Sequence, residues 1–191
     1  MYRKIDVLLV GVGGQGTILA SKILATAAGL AGYDIKMSEI HGMSQRGGSV
    51  STQVRLGDKV VSPLIEEGKA DIILAFEKME AVRNLASLKE GGALIANDQA
   101  IAPMSVLSGA AEYPVNISEY LTENVKGCIL VDAVKIAKEC GNVKAANVVL
   151  VGVLASRLPF DLEVWHQALE SRIPAKLLEV NQAAFEQGYN L

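Results

Sequence analysis

A strand, a glycine-rich turn and a helix follow one another at the start of this chain, and this order restricts the fold more than any other feature. The apolar run from Ile5 to Val10 predicts a buried strand. Gly11, Gly13 and Gly16 come directly after it and form the pattern G-x-G-x-x-G. The segment from Thr17 to Leu30 then carries Ala, Leu and Ile at helical spacing. This succession is typical of α/β proteins with a parallel sheet.

The same alternation continues along the chain. Short apolar runs bounded by charged residues or glycines predict strands, and longer runs with a period near 3.6 residues predict helices. The further predicted strands are Asp34 to Ile40, Asp71 to Phe76, Ala93 to Asn97 and Ile129 to Val131, and the further predicted helices are Lys78 to Leu88, Asp132 to Cys140, Ala145 to Arg157 and most of Leu162 to Phe185, with Pro174 starting a new helix.

One segment interrupts this rhythm. Val50 to Leu56, the Gly57-Asp58 turn and Lys59 to Val61 together predict a β-hairpin. The stretch around Pro103 and Pro114 is expected to be irregular. We therefore expect a single α/β domain over residues 1–191, with a Rossmann-like, open, mainly parallel sheet, helices on both faces, an inserted β-hairpin and a helical C-terminal tail.

Composition excludes several classes of function. The net charge is −3, and no basic tract with interleaved aromatic residues is present, so a nucleic acid is not expected as a partner. No apolar run approaches the roughly 20 residues of a membrane helix, which predicts a soluble, cytoplasmic protein without a membrane partner. Cys128 and Cys140 match neither a redox pair nor a zinc or iron–sulfur spacing. We expect two buried thiols and no metal site.

The first glycine loop is a candidate ligand site. Such a loop between a strand and a helix allows close approach to a diphosphate at the positive end of the helix. Glu39 lies 23 residues beyond Gly16, near the position at which an acidic side chain binds a ribose hydroxyl in dinucleotide-binding folds. The structural alternative is that the glycines only allow the helix to pack closely on the sheet.

The segment from Glu39 to Ser49 predicts a second ligand-binding loop. It combines charged, imidazole, amide and hydroxyl side chains with three glycines, and Arg46 could bind a carboxylate or phosphate through two oxygens. Alternatively, Gly47 and Gly48 could simply begin the following strand. The candidate ligand-binding residues of the two loops are Gly11, Gly13, Gly14, Gln15, Gly16, Thr17, Glu39, His41, Gly42, Ser44, Gln45, Arg46, Gly47, Gly48 and Ser49, among which His41 is a weak candidate for proton transfer.

A free-standing NAD- or FAD-dependent oxidoreductase is one interpretation, but three observations weigh against it. The chain lacks a second domain that could carry a hydride acceptor. It has no evident pair of acid and base residues, and a loop instead of a helix follows the second predicted strand. We therefore expect no tightly bound NAD or FAD.

The residues resemble a known family, the small γ-type subunits and domains of 2-oxoacid:ferredoxin oxidoreductases, and within it most closely the indolepyruvate enzymes. The resemblance runs through residues 11–16, His41 to Val50, the segment Asp71 to Arg83 and the tail Asn181 to Gly188. Adenylating enzymes also begin with G-x-G-G, but they would be expected to carry paired C-x-x-C zinc ligands and a longer chain. The combination of both loops at this distance is specific to the oxidoreductase family.

This resemblance implies an enzyme that decarboxylates a 2-oxoacid oxidatively, transfers the acyl group to coenzyme A and passes electrons to ferredoxin. Thiamine diphosphate, Mg²⁺ and [4Fe–4S] clusters would lie on a large partner subunit, so the isolated chain is expected to be inactive. Arg46 would then contact a 2-oxoacid carboxylate or a coenzyme A phosphate. Other aryl and branched 2-oxoacids stay open as substrates. A chain that serves only as an assembly and interface module also stays open.

Overall fold

The computed structural model describes residues 3–41 and 48–191. Within them, the chain forms six strands and eight α-helices. The strands are β1 (Ile5–Val12), β2 (Asp34–His41), β3 (Ser49–Gly57), β4 (Ala70–Ala75), β5 (Leu88–Asn97) and β6 (Cys128–Val131). The helices are α1 (Thr17–Leu30), α2 (Lys78–Arg83), α3 (Met104–Leu107), α4 (Ile117–Asn124), α5 (Ala133–Glu139), α6 (Ala146–Ala155), α7 (Leu162–Arg172) and α8 (Ala175–Tyr189).

The strands form one sheet in the order β2-β3-β1-β4-β5-β6. Strands β1, β4, β5 and β6 are parallel, whereas β3 runs antiparallel to both β1 and β2. The sheet is therefore mainly parallel, as predicted, with an antiparallel pair at one side. Because β3 is antiparallel to β1, its first residue, Ser49, pairs with Val12 at the carboxyl end of β1.

Helices cover both faces of the sheet, which confirms the predicted architecture. One face packs side chains such as Val7 and Leu9 against a core that includes α1 and α6. The opposite face packs Leu8 and Val10 with Ala81 of α2 and Leu121 of α4. This alternation of successive β1 residues between two apolar layers explains why β1 is an unbroken apolar run.

The predicted hairpin is wrong. Residues 58–69 contain no strand, and β3 pairs with β2 and β1 instead of with Lys59 to Val61. A side chain satisfies the backbone of this segment, because the Val60 N–H donates to Asp34 Oδ2 at 2.7 Å. The antiparallel pair that interrupts the parallel rhythm is β2 and β3.

Two further helix predictions need correction. The helix predicted from Lys78 to Leu88 ends at Arg83, and a 3₁₀ turn over Leu85–Ser87 leads into β5. Asn84 stops α2, because its side-chain amide donates back to the Glu80 carbonyl at 2.9 Å. The stretch expected to be irregular contains α3 and α4.

Two further predictions concern membrane helices and the two cysteines. None of the helices in the described ranges is long and apolar enough to cross a membrane. Both cysteines are free and half-buried, so the predicted buried thiols are only partly buried. Partial burial raises the pKa of the Cys128 thiol above its ordinary value.

Candidate functional site

The carboxyl ends of the parallel strands bring the two candidate loops together. The glycine loop leaves β1, and the end of β2 and the beginning of β3 lie at the same edge. Helix α1 follows β1 onto one face of the sheet, whereas α2 follows β4 onto the other. Between two such strands a crevice opens at the carboxyl edge, which is where open α/β sheets bind ligands.

The glycine loop requires glycine for conformation at Gly14 and Gly16. Their φ angles are +101° and +81°, in the left-handed region that residues other than glycine rarely adopt. Gly16 also meets a close neighbour, since a Cβ atom there would lie 2.5 Å from Asn147 Nδ2. Gly16 is the N-cap of α1 and gives this helix no side-chain cap. The loop thus presents backbone at the positive end of a 14-residue helix.

The Gln15 side chain lies across the crevice. Its Oε1 accepts a hydrogen bond from the Val12 N–H at 2.8 Å, at the end of β1. Its Nε2 donates to the Phe76 carbonyl at 2.8 Å, directly after β4, and to Gln99 Oε1 at 3.1 Å. The predicted ligand contact of Gln15 stays a prediction, and in the structure its amide binds the ends of the two central strands and lines a cavity beside the loop.

Asn97 and Gln99 extend this arrangement beyond β5. The buried Asn97 donates from Nδ2 to the Phe76 carbonyl at 3.2 Å and to Gln99 Oε1 at 3.1 Å. Its Oδ1 accepts from the Ala133 N–H at 3.1 Å, at the start of α5. Neither residue was predicted to lie at the site, and their only sequence signal is polarity at the end of a buried strand.

Most of the second loop lies outside the described residues. Gly42, Ser44, Gln45, Arg46 and Gly47 lie outside the described residues, as does the side chain of His41, whose backbone ends β2. Their predicted roles stay predictions.

Both described residues at the far end of this loop are anchored. The Gly48 carbonyl accepts from the Gly13 N–H at 2.8 Å, so the two candidate loops are joined directly. The Ser49 hydroxyl donates to Glu80 Oε2 at 2.6 Å.

Two buried carboxylates at the start of α2 form hydrogen bonds at this edge of the sheet. Glu77 and Glu80 are each 1% exposed. Glu77 is the N-cap of α2: it accepts from the Glu80 N–H at 2.9 Å and from the Ile101 N–H at 3.1 Å, and the Tyr113 hydroxyl also donates to it. Burial and the neighbouring Glu77 carboxylate raise the pKa of Tyr113, so its hydroxyl stays a donor. Glu80 also pairs with Arg83, and the sequence analysis assigned none of these residues a role at the site.

Glu39 lies farther from the glycine loop than in a dinucleotide-binding fold. It pairs with Thr52 of β3, and β3 separates β2 from β1. Two strand spacings, roughly 10 Å in total, therefore lie between Glu39 and β1. The Oε1 atom of Glu39 is buried and has no hydrogen-bond partner among the described residues. Whether it contacts a ligand stays a prediction.

Two cavities adjoin the glycine loop. A cavity of about 510 Å³ lies on the side of α5 and α6, and one of about 460 Å³ lies on the side of β2 and β3. Gly14 and Gly16 line both, Thr17 lines the smaller one, and Gln99 and Asn147 line the larger one. Gly11 instead packs tightly, since a Cβ atom there would lie only 2.9 Å from Phe76 Cβ. In residues 3–41 and 48–191, no cluster of three His, Cys, Asp or Glu side chains is placed to hold a metal ion.

Comparison with known proteins identifies the family. Residues 6–191 match the family model described as pyruvate ferredoxin/flavodoxin oxidoreductase. The chain belongs to this family. It is 42% identical over 191 residues to an indolepyruvate oxidoreductase subunit IorB of Pyrococcus horikoshii, covering 97% of this chain and 95% of the relative.

Solved structures agree on the fold. The chain is similar to the γ subunit of a keto/oxoacid ferredoxin oxidoreductase from Geobacter sulfurreducens, with a TM-score of 0.72 and 27% identity over 97% of this chain and 96% of the other. It also matches a 2-oxoglutarate:ferredoxin oxidoreductase chain from Magnetococcus marinus, with a TM-score of 0.73 and 20% identity over 98% of this chain and 31% of the other. The resemblance inferred from the sequence is confirmed.

Proposed function

We propose that this chain is the small subunit of a 2-oxoacid:ferredoxin oxidoreductase that acts on an arylpyruvate, with indolepyruvate as the first candidate. Such an enzyme converts the 2-oxoacid to an acyl-CoA with loss of CO₂ and transfers two electrons to ferredoxin. The observation that carries this proposal is the 42% identity to a named indolepyruvate oxidoreductase subunit over nearly the full length of both chains.

The remaining chemistry is assigned to a larger partner subunit. A [4Fe–4S] cluster needs four cysteine ligands, and this sequence has two cysteines in all. The Magnetococcus chain that shares this fold is about three times as long, since the match covers 31% of it. Thiamine diphosphate, Mg²⁺ and the clusters would therefore be bound by the partner, and ferredoxin would be reached through the complex.

The carboxyl edge of the sheet is the proposed contribution of this chain to the assembled active site. It offers the N-terminal end of α1, two cavities and the base of the loop that contains Arg46. Each suits an anionic co-substrate, either the carboxylate of the 2-oxoacid or a phosphate of coenzyme A. The Magnetococcus enzyme was solved with 2-oxoglutarate, coenzyme A and succinyl-CoA bound. His41 is a positioning candidate at this edge.

Replacing Arg46 by alanine tests this proposal. A loop arginine flanked by glutamine and glycine has little packing to lose, so Arg46→Ala should change the stability of the chain by no more than about 0.5 kcal/mol. In the complex, loss of a bidentate charged contact should cost roughly 1.5–3 kcal/mol, or about 10- to 100-fold in KM or kcat. The measurement is arylpyruvate-dependent dye reduction, with the 2-oxoacid and coenzyme A varied separately.

A matched control and the isolated chain complete this test. Arg172→Ala removes an exposed arginine of α7, whose contact is the Thr26 hydroxyl at 2.8 Å, and should leave the kinetics unchanged. The isolated chain should show no turnover with thiamine diphosphate, Mg²⁺ and coenzyme A added. Turnover without a partner would refute the proposed subunit role.

The second candidate function is an assembly module without ligand contact. The structure favours it in one respect, because Gln15 and Ser49, two predicted ligand contacts, use their side chains within the fold. Under this hypothesis the complex with Arg46→Ala would turn over like the parent, or would fail to assemble. Co-purification with the partner, measured beside the kinetics, separates these outcomes.

A further inference from the structure

The Gln15 amide has its donors fully used inside the fold. Both N–H groups of Nε2 are engaged, one by the Phe76 carbonyl at 2.8 Å and the other by Gln99 Oε1 at 3.1 Å. Oε1 accepts from the Val12 N–H at 2.8 Å. An amide bound in this way has one orientation that satisfies all three partners, because exchanging its oxygen and nitrogen would bring donor against donor and acceptor against acceptor.

The partners of Gln15 are themselves fixed. Gln99 Oε1 accepts from both Gln15 and Asn97, and Asn97 is 3% exposed. Asn97 Oδ1 in turn accepts from the Ala133 N–H at 3.1 Å. A chain of three side-chain amides therefore runs from the start of α5 to the glycine loop, and each amide orients the next.

The glycine loop transmits this constraint to the second loop. The Gln15 N–H donates to the Val12 carbonyl at 3.2 Å while the Gln15 side chain binds the Val12 N–H, so the turn between them is closed from both sides. Gly13 lies inside that turn, and its N–H holds the Gly48 carbonyl at 2.8 Å.

We infer that Gln15 is a positioning residue: its amide fixes the glycine loop, and through Gly13 the end of the second loop, and it does not bind ligand through its side chain. This inference rests on the proposed function for its kinetic consequence. The same amide joins the end of β1 to the residue after β4 and lines the cavity of about 510 Å³ beside the glycine loop, so it fixes the wall of this crevice.

Replacing Gln15 by glutamate provides a test with a pH readout. A protonated glutamic acid can accept from the Val12 N–H and donate to the Phe76 carbonyl, whereas an ionised one turns a second oxygen toward the oxygens of Phe76 and Gln99. At about pH 8 the Gln15→Glu complex should show a KM raised roughly 10- to 100-fold for the 2-oxoacid or for coenzyme A, whichever the second loop binds. Displacements near 1 Å have effects of this size. The ratio to the parent should shrink as the pH falls toward about 5.5, where glutamate near carbonyl oxygens protonates.

Gln187→Glu is the matched control, because it makes the same chemical change at an exposed position of α8. Its KM ratio to the parent should stay near one at every pH. A Gln15→Glu complex that also behaves like the parent at every pH would overturn the inference. Weaker partner binding by Gln15→Glu, with kcat/KM unchanged when the partner is saturating, would overturn it as well.

A second measurement does not depend on turnover. In the isolated chain, amide hydrogen exchange followed by NMR should show faster exchange at Gly13 in Gln15→Glu than in the parent, with the difference largest at high pH after correction for intrinsic exchange. If the parent complex proves inactive, the proposed function fails while this experiment still decides the positioning role. Equal protection of Gly13 in both proteins would contradict it.

Gln99→Ala covers the case in which Gln15→Glu does not fold. It removes one acceptor and leaves the bonds of Gln15 to Val12 and Phe76 in place. We expect a KM change in the same direction but smaller, roughly two- to tenfold, since one of three contacts is lost. If neither KM nor the exchange protection of Gly13 changed, the inference would be overturned.

Discussion

The two edges of the central sheet both bury polar groups, but different kinds of group lie at the ends of the strands themselves. At the amino edge the groups are charged and paired: Asp6, with 3% of its side chain exposed, binds Arg55 at 3.0 Å and Lys4 at 3.1 Å, and Asp71 pairs with Lys89. At the carboxyl edge, neutral amides and glycine backbone surround Gln15, and the buried carboxylates Glu77 and Glu80 lie beside them at the start of α2. The charges of the first edge pair with one another, whereas the second edge places the N-terminal end of α1 and two cavities beside the glycine loop.

Cavity size does not distinguish the two edges. A cavity of about 700 Å³ lies at the amino edge among Arg3, Tyr33, Asp71, Lys89 and Arg157. The cavities beside the glycine loop measure about 510 and 460 Å³. The site is assigned to the carboxyl edge because the loops converge there, the α1 N-terminus opens there, and open α/β sheets bind ligands at that edge.

The largest expected effect belongs to the amino edge. Asp6→Asn should lower the free energy of unfolding by about 2–3 kcal/mol, because a buried carboxylate loses its charged hydrogen bonds to Arg55. Because Asp6 lies far from the glycine loop, the KM values of the complex should not change. Urea unfolding of the single chain and steady-state kinetics of the complex measure the two quantities.

Lys4→Met is the control for this experiment. It removes the more exposed partner of Asp6, with 59% of its side chain exposed, and should cost less than about 1 kcal/mol. If Asp6→Asn raises a KM as strongly as a carboxyl-edge variant does, the division of the sheet into a structural and a functional edge is wrong.

A smaller effect on stability, but a larger one on kinetics, is expected at the carboxyl edge. Glu80→Gln leaves one acceptor oxygen for the two donors Ser49 and Arg83, which should cost about 1–2 kcal/mol of stability. Because Ser49 follows directly on the second loop, the KM for the loop's ligand should rise roughly three- to tenfold, an effect worth about 1 kcal/mol.

A double-mutant cycle identifies the route of this effect. If Glu80 acts through Ser49, then Glu80→Gln combined with Ser49→Ala should raise KM no more than the larger of the two single changes does. Additive effects would instead show that Glu80 influences the kinetics by another path.

The sequence predicted the elements that follow a simple period. Helix α1 runs from Thr17 to Leu30, as its apolar spacing indicates. The partner of β3 was mispredicted because a local turn signal at Gly57 and Asp58 competed with pairing across the sheet. Strand β3 buries Val54 and Leu56 completely, and the sheet provides that burial whereas a local hairpin would not.

The sequence predicted which loops meet at the candidate site but not the contacts within it. The glycine motif correctly placed a turn at the end of β1. The bonds of Gln15 to Phe76 and Gln99 join residues 61 and 84 positions apart, and no local pattern encodes them. Glu77 and Glu80, three residues apart, have the spacing of a solvated helix face, yet both are 1% exposed. Only the packing of a six-residue helix against the sheet reveals their burial.

The smallest expected effect is a pH dependence at the border of the carboxyl edge. Asp98 accepts from Lys78 Nζ at 2.9 Å and from the Ser118 hydroxyl at 2.8 Å, and these bonds, the Lys78 bond foremost, hold the pKa of Asp98 below its ordinary value of 3.8. A carboxylate with a lowered pKa stabilises the fold above that ordinary value and loses this contribution as the pH falls through its folded pKa. Because 43% of the Asp98 side chain is exposed, the contribution should stay below about 0.5 kcal/mol.

Asp98→Asn should therefore be slightly less stable than the parent at about pH 6 and equal to it near pH 2. Glu112→Gln, a control at an exposed position, should show no such convergence. Urea unfolding across this range measures the difference, and a gap that widens toward acid would mean that the ion pair with Lys78 does not stabilise the folded chain.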